Sequence, residues 1–154
     1  MGSGLARRKR DGSIEVLLGE AERTVLGDVL GQLREALVAD ADDPLLLRLF
    51  PPAYADDEEK EAGFRALARD ELLEQRLAAI EEVESTLELD RLTVEQADAW
   101  VRSLNALRLV LGTRLDVTED DDRANIHPDD EDAPAWLLYM LLSALVDDLV
   151  SALS

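Results

Sequence analysis

The chain has 154 residues, enough for one domain whose core needs no disulfide or metal. It contains 16 basic residues, 35 acidic residues, one histidine and no cysteine. The lack of cysteine excludes disulfides, thiol catalysis, thiol-based redox sensing and a cysteine-ligated zinc. No signal peptide is visible, so we expect a cytoplasmic single domain over residues 1–154, with a flexible segment 1–6 and an acidic loop 118–132.

The net charge of −19 is unevenly distributed. Residues 1–10 carry Arg7, Arg8, Lys9 and Arg10 and no acid, which leaves 12 basic residues against all 35 acidic ones after that point. Nucleic-acid affinity depends mainly on cations that neutralise phosphates, so the acidic body should repel DNA. The four cations remain a candidate nucleic-acid arm, whereas the acidic body favours solubility and rapid capture of a basic protein surface.

The first predicted element is a small N-terminal β-hairpin. Asp11-Gly12 lies between two short strand-like runs, a pattern typical of a type I′ turn. Ile14, Val16 and Leu18 alternate with other residues and should face the core together.

The next segments predict a long helix and then a short one. Leucines at 26, 30, 33 and 37 share one face of a helix over about residues 20–40. After it, Asp43 can cap a helix, Pro44 suits the first helical position, and Pro51 with Pro52 stops the turn. The prediction is a short extra helix followed by a rigid corner.

Three further segments complete the predicted fold. A central helix over about residues 57–89 carries two apolar stripes, and Thr93 with Gln96 forms a capping box that opens a helix over about 94–116. A final helix should follow Asp132 and run to about residue 153. The sequence therefore predicts a mainly α protein: a four-helix bundle-like single domain with a short extra helix and a small N-terminal β-hairpin.

The last helix is apolar almost all round between residues 135 and 146. Twelve residues are too few to span a bilayer, and Asp147 with Asp148 interrupts the run. We therefore expect a buried core helix and no membrane partner. The same apolar surface makes a homodimer plausible, although a four-helix core could absorb it entirely.

Arg108 is the unusual residue of the third long helix. On a helical wheel it falls between Leu115 and Val101, inside the apolar stripe. An unpaired buried guanidinium would be very costly, so the position predicts a carboxylate partner, with Glu71 and Asp147 as the candidates.

Two interpretations of Arg108 stay open. The first is a buried polar network of Arg108, Asn105, Glu71 and Asp147 that fixes helix register. The second is a small-anion site lined by Asn105, Arg108 and backbone opened by Gly112. The first is favoured, because a charge in a helix stripe is more often structural.

No other pattern supports catalysis or metal binding. The lone His127 lies in the acidic loop, and one histidine cannot build a histidine-rich metal site. A calcium loop that starts at Asp120 fails, because Ala124 occupies the third ligand position. We therefore expect no enzyme activity, no cofactor and no metal.

Three sequence blocks carry a family resemblance: "DPLLLRLFPPAYADD", "FRALARDELLEQRLAAIEEV" and "ADAWVRSLNALRLVLGTRLDVTEDDD". Together they resemble an actinobacterial family of unknown function whose members are described as transcriptional regulators, AosR-type oxidative-stress regulators included. The most specific block holds Trp100, Asn105, Leu107, Arg108, Leu109, Gly112 and Arg114, followed by the "LFPPAY" corner.

The last helix departs from that family pattern. Tyr139 fits it and Asp147 stands where a glutamate is usual, but Leu141 and Ala144 replace tryptophans and Val146 replaces a glutamine. If those aromatic residues form a partner surface, the partner or the affinity of this chain should differ.

The resemblance implies a regulatory role without a reaction. Our first hypothesis is a non-enzymatic regulator that acts through protein contacts, with the transcription machinery as one target and the partner's identity unknown. Its interaction surface would use Phe50, Tyr54, Trp136 and Tyr139. The alternatives are a DNA-binding regulator that uses the basic arm, and a small-anion sensor centred on Arg108.

Overall fold

A computed structural model describes residues 4–39, 58–115 and 133–154. For residues 58–69 and for residue 114 it describes the backbone only. The helices are α1 (Glu20–Ala39), α2 (Glu58–Thr86), α3 (Val94–Arg114) and α4 (Ala133–Leu153). The strands are β1 (Ala6–Arg8), β2 (Ile14–Val16) and β3 (Arg91–Leu92). The mainly α prediction is confirmed. The predicted short extra helix with Phe50, the corner with Tyr54, and the acidic loop with His127 lie outside the described residues.

The start of α3 follows directly from the sequence. The Thr93 hydroxyl accepts a hydrogen bond from the Gln96 backbone N–H at 3.1 Å, and the Gln96 side chain accepts one from the Thr93 N–H at 2.9 Å. The predicted capping box is therefore confirmed. It satisfies two backbone donors that the first helical turn would otherwise leave without partners.

The hairpin forms, but its turn starts one residue earlier than a type I′ turn on Asp11-Gly12 requires. The Gly12 N–H donates to the Lys9 carbonyl at 3.0 Å, and the Lys9 N–H donates to Ser13 at 2.8 Å. Gly12 has φ +88°. These bonds define a three-residue loop that ends in a left-handed glycine, a common alternative to the two-residue turn. The Asp11 carboxylate also accepts from the Ser13 N–H at 2.9 Å and so tightens the loop.

The sheet has three antiparallel strands in the order β1-β2-β3. Ala6 pairs with Val16, and Ile14 pairs with both Arg8 and Leu92. The third strand was not predicted, because two residues are too few to show an alternating pattern. β1 also begins within the segment 1–6 that was expected to be flexible. The backbone of Leu5 is held on both sides, since its carbonyl accepts from Leu17 at 2.8 Å and its N–H donates to Asp148 at 2.8 Å.

One hydrophobic core joins the sheet to all four helices. Its largest fully buried side chains are Ile14, Leu26, Leu30, Leu37, Ile80, Leu92, Trp100, Leu104, Leu142 and Leu145. Burying each such side chain contributes about 1.5–3 kcal/mol relative to leaving it exposed. The indole N–H of the fully buried Trp100 donates to the Thr86 hydroxyl at 2.8 Å, so the only polar group of this side chain is satisfied.

Only one face of α4 is in the core. Leu142, Leu145 and Leu149 are fully buried, whereas Leu137 is 61% exposed and Met140 is 38% exposed. By length and composition alone α4 could cross a membrane, although 39% of the relevant stretch is buried inside the protein. The predicted core helix is thus confirmed for its inner face, and its first two turns carry an apolar outer surface.

Candidate functional site

A groove between α3 and α4 contains the residues that the sequence singled out. Asn105 and Arg108 line it from α3, and Asp147 and Ser151 line it from α4. The groove has a volume of about 480 Å³. It therefore brings together three of the four members of the predicted polar network.

Arg108 is half-buried in this groove rather than enclosed in the core. Its Nη2 donates to Oδ1 of Asn105, one turn earlier on the same helix, at 2.7 Å. The ion pairs resolved between described residues do not include the predicted pairs of Arg108 with Glu71 or Asp147, and both acids are exposed. Water reaches a half-buried guanidinium and solvates it, so Arg108 does not require a carboxylate.

Arg23 is the buried arginine that the sequence analysis missed. It is 5% exposed and donates to four backbone carbonyls: those of Leu87 at 2.6 Å, Leu89 at 2.8 Å, Leu18 at 3.2 Å and Val16 at 3.4 Å. It also contacts the Asp90 carboxylate at 3.1 Å, which is itself 87% exposed.

The position of Arg23 was visible in the sequence. It lies three residues before Leu26 and seven before Leu30, so it belongs to the apolar stripe of α1. Its guanidinium joins the start of α1, the end of β2 and the turn after α2. The charge is satisfied by the carbonyl dipoles of two chain segments, 16–18 and 87–89, which makes Arg23 a structural clamp.

The adjacent acids Asp147 and Asp148 have different environments. Asp148 is 5% exposed, and its carboxylate accepts a hydrogen bond from the Leu5 N–H at 2.8 Å. Asp147 is exposed and lines the groove. Because successive helical residues point about 100° apart, one acid ties α4 to β1 while the other faces solvent.

The basic arm is part of the sheet and its charges are partly neutralised. Arg7 contacts Glu15 on β2 at 2.8 Å, and Lys9 contacts the same carboxylate at 3.1 Å. These two cations hold the pKa of Glu15 below its ordinary value of 4.5, the Lys9 hydrogen bond having the largest effect. Arg8 and Arg10 are exposed. Two of the four cations are thus engaged within the hairpin, which weakens the case for DNA binding.

The first turns of α4 carry an exposed apolar surface, which we call the α4 outer face: Trp136, Leu137, Tyr139 and Met140. The rings of Trp136 and Tyr139 meet edge-to-face with centroids 6.1 Å apart. Both rings are half-buried, so each still presents area to solvent. Of the residues predicted to form an interaction surface, these two are described and lie together, and Phe50 and Tyr54 fall outside the described residues.

Within the described residues, no group of three or more histidine, cysteine, aspartate or glutamate side chains could hold a metal ion. The described residues do provide an apolar face on α4, a groove that contains Arg108, and the structural clamp of Arg23.

Comparison with known proteins places the chain in a family. A protein of Mycobacterium leprae (strain TN) named "Putative oxidative stress regulator AosR" is 30% identical over 169 residues, an alignment that covers 92% of this chain and 74% of the relative. No solved structure matches the chain significantly. The sequence profile of the domain of unknown function DUF2017 matches residues 3–153. The chain therefore belongs to the DUF2017 family, in agreement with the resemblance seen in the sequence.

Proposed function

We propose that this protein is a non-enzymatic regulator that binds a basic protein partner through the α4 outer face. The regulatory part of the proposal rests on the Mycobacterium leprae relative, whose name describes it as an oxidative stress regulator. The mechanistic part rests on one observation: Leu137 is 61% exposed beside Met140 and the Trp136–Tyr139 pair.

The composition of this face favours a protein partner. Aromatic residues and methionine are enriched in the cores of protein–protein interfaces, and hot spots centre on large aromatic anchors. Exposed leucines scattered singly would need no explanation, but here the exposed Leu137 and Met140 lie in the same two helical turns as the half-buried Trp136–Tyr139 pair.

The charge of the chain favours a basic partner over a second copy. Two chains of net charge −19 repel each other, whereas a basic surface is attracted and its encounter accelerated. A component of the transcription machinery that exposes a basic surface is the first class of partner to examine.

Cysteine chemistry has no place in this proposal. The chain contains no cysteine, so a thiol switch on this chain is excluded and its oxidisable sulfur atoms are those of Met1 and Met140. The proposed contact itself needs only shape, apolar area and charge.

The test is affinity capture from a lysate of the native host, with the captured proteins identified by mass spectrometry after nuclease treatment. We expect a stoichiometric protein that Leu137→Asp with Met140→Asp no longer captures. The matched control is Val25→Asp with Val38→Asp, which places the same charges on exposed valines of α1.

Equal capture by the α4 variant and wild type would overturn the assignment of the interface to α4. Recovery only with nucleic acid intact would favour the basic arm instead, and Arg8→Ala with Arg10→Ala would then abolish it. A concentration-dependent dimer that the α4 variant disrupts would identify the occupant as a second copy.

A further inference from the structure

A second cavity lies between α1, α2 and α3 and shares no residue with the groove of Arg108 or with the α4 outer face. Its volume is about 300 Å³, at the lower end of the range of small-molecule sites. Aliphatic side chains of all three helices line it, including Leu33, Leu37, Leu72 and Ile80. Its polar lining comes from Gln75 and Arg76 on α2 and from Arg102 and Ser103 on α3.

Two guanidinium groups share this cavity. Arg76 is half-buried, and burial lowers its pKa, with the positive charge of Arg102 adding to the shift. Arg102 contacts Asp98 at 3.0 Å, but that carboxylate is on its own helix and exposed. Two cations that line one cavity raise each other's free energy, and an anion placed between them would relieve the repulsion.

Ser103 supplies an independent observation. The residue is 2% exposed, and its Oγ has no hydrogen-bond partner among the described residues. Several other helical hydroxyls among the described residues donate to the preceding turn, as Thr24 does to the Glu20 carbonyl at 3.0 Å and Thr113 to that of Leu109 at 2.9 Å. A buried hydroxyl without a partner is costly, so its position in the cavity lining points to a ligand atom that would accept a hydrogen bond from it.

We propose that this cavity binds a small aliphatic carboxylate. The carboxylate would lie between Arg76 and Arg102 and accept a hydrogen bond from the Ser103 hydroxyl, while its alkyl chain would pack against the leucines of α1 and α2. Arginine matches a carboxylate with paired N–H donors, and the apolar lining excludes a fully hydrated inorganic anion. None of these residues belongs to the α4 outer face, so this proposal stands or falls independently of the proposed function.

The probe is octanoate, titrated into the full chain by calorimetry and followed by amide chemical shifts. We expect saturable binding with shifts concentrated between residues 72–80 and 102–106. Octan-1-ol and inorganic phosphate should each bind at least about tenfold more weakly, because one lacks the charge and the other lacks the apolar body.

The variants assign the site. Arg102→Gln should weaken octanoate binding about tenfold, the loss expected for a hydrogen bond to a charged group, and Ser103→Ala should weaken it several-fold. Arg102 is exposed, so its replacement should leave the fold intact. Arg76 is half-buried and is for that reason not the arginine chosen for the variant. Arg34→Gln is the control, since Arg34 is an exposed arginine that contacts Glu84 away from the cavity.

Several outcomes would overturn the proposal. They are the absence of saturable binding up to about 10 mM octanoate, an affinity for octan-1-ol equal to that for octanoate, and unchanged binding in both Arg102→Gln and Ser103→Ala. Equal affinity for phosphate would show that the apolar lining contributes nothing and would also contradict it.

Discussion

Arg23 and Arg108 occupy comparable positions on their helices but very different environments. Arg23 is 5% exposed and donates to four carbonyls from separate chain segments. Arg108 is half-buried and donates to one neutral amide on its own helix. The guanidinium of Arg23 is bonded to the protein at all three nitrogens, whereas Arg108 makes one such bond and lines a groove. The comparison shows that the number of oxygen partners, more than the position in a stripe, separates a structural cation from an available one.

The partners of Arg23 also show how a buried charge can be tolerated without a buried acid. Asp90 contributes little because its carboxylate is 87% exposed and screened by water. The carbonyls of Leu87 and Leu89 lie in the turn between α2 and β3, and both accept from one nitrogen of Arg23. The guanidinium and the carbonyls therefore satisfy each other.

Replacement of Arg23 should have the largest effect on stability. Arg23→Met would leave several buried carbonyls without a donor, and we expect it to lower the free energy of unfolding by about 3–5 kcal/mol. Urea denaturation followed by circular dichroism measures the change. Arg34→Met, at an exposed ion pair, is the control and should change stability by less than about 1 kcal/mol. Similar effects for the two variants would contradict the clamp.

The two adjacent acids of α4 offer the next test. Asp148→Ala should cost about 1–3 kcal/mol, because it leaves the Leu5 N–H without this acceptor at a partly buried position. Asp147→Ala should stay within about 0.5 kcal/mol, as expected for an exposed residue. Thermal unfolding of both variants under one condition measures the difference, and a larger loss for Asp147 would reverse our assignment of their roles.

Arg108 should matter less for stability than its place in the stripe suggested. Arg108→Met removes one hydrogen bond and keeps the apolar stem, so we expect a change below about 1 kcal/mol in urea denaturation. A loss as large as that of Arg23→Met would mean that Arg108 has the buried carboxylate partner that the sequence predicted.

The smallest expected effect is the acid response of the hairpin. The folded-state pKa of Glu15 is lowered from 4.5 by Lys9 and Arg7, so its contribution to stability is present above that value and lost as the pH falls through the folded pKa. Carboxyl chemical shifts titrated between about pH 2 and 6 should give a midpoint for Glu15 below that of an exposed glutamate. A midpoint at or above 4.5 would show that the contacts at 2.8 and 3.1 Å do not persist in solution.

The sequence predicted those features that depend on neighbouring residues, namely helix caps and the buried faces of helices. Thr93 and Gln96 set the start of α3, and the leucine spacing of α1 predicted its buried face. The frame of the hairpin turn was wrong by one residue because Gly12 suits either turn. β3 could not be predicted, since it forms only where the chain after α2 meets β2.

The candidate sites were less predictable because their partners are distant in the chain. Arg23 donates to two carbonyls that are 64 and 66 residues away in the chain. No local sequence pattern predicts such distant acceptors. The cavity at Ser103 depends on how three helices pack. Arg23 shares the leucine face of α1 as Arg108 shares the apolar stripe of α3, so helical periodicity marks both positions without distinguishing their environments.

The hydrogen bond between Leu5 and Asp148 joins residues 143 positions apart. During translation at roughly 5–20 residues per second, β1 would wait about 7–30 s before its acceptor is synthesised. Until then the sheet and the first three helices would expose the surface that α4 later covers. The contact between Leu5 and α4 is therefore a late event of folding, because its two partners are synthesised far apart in time.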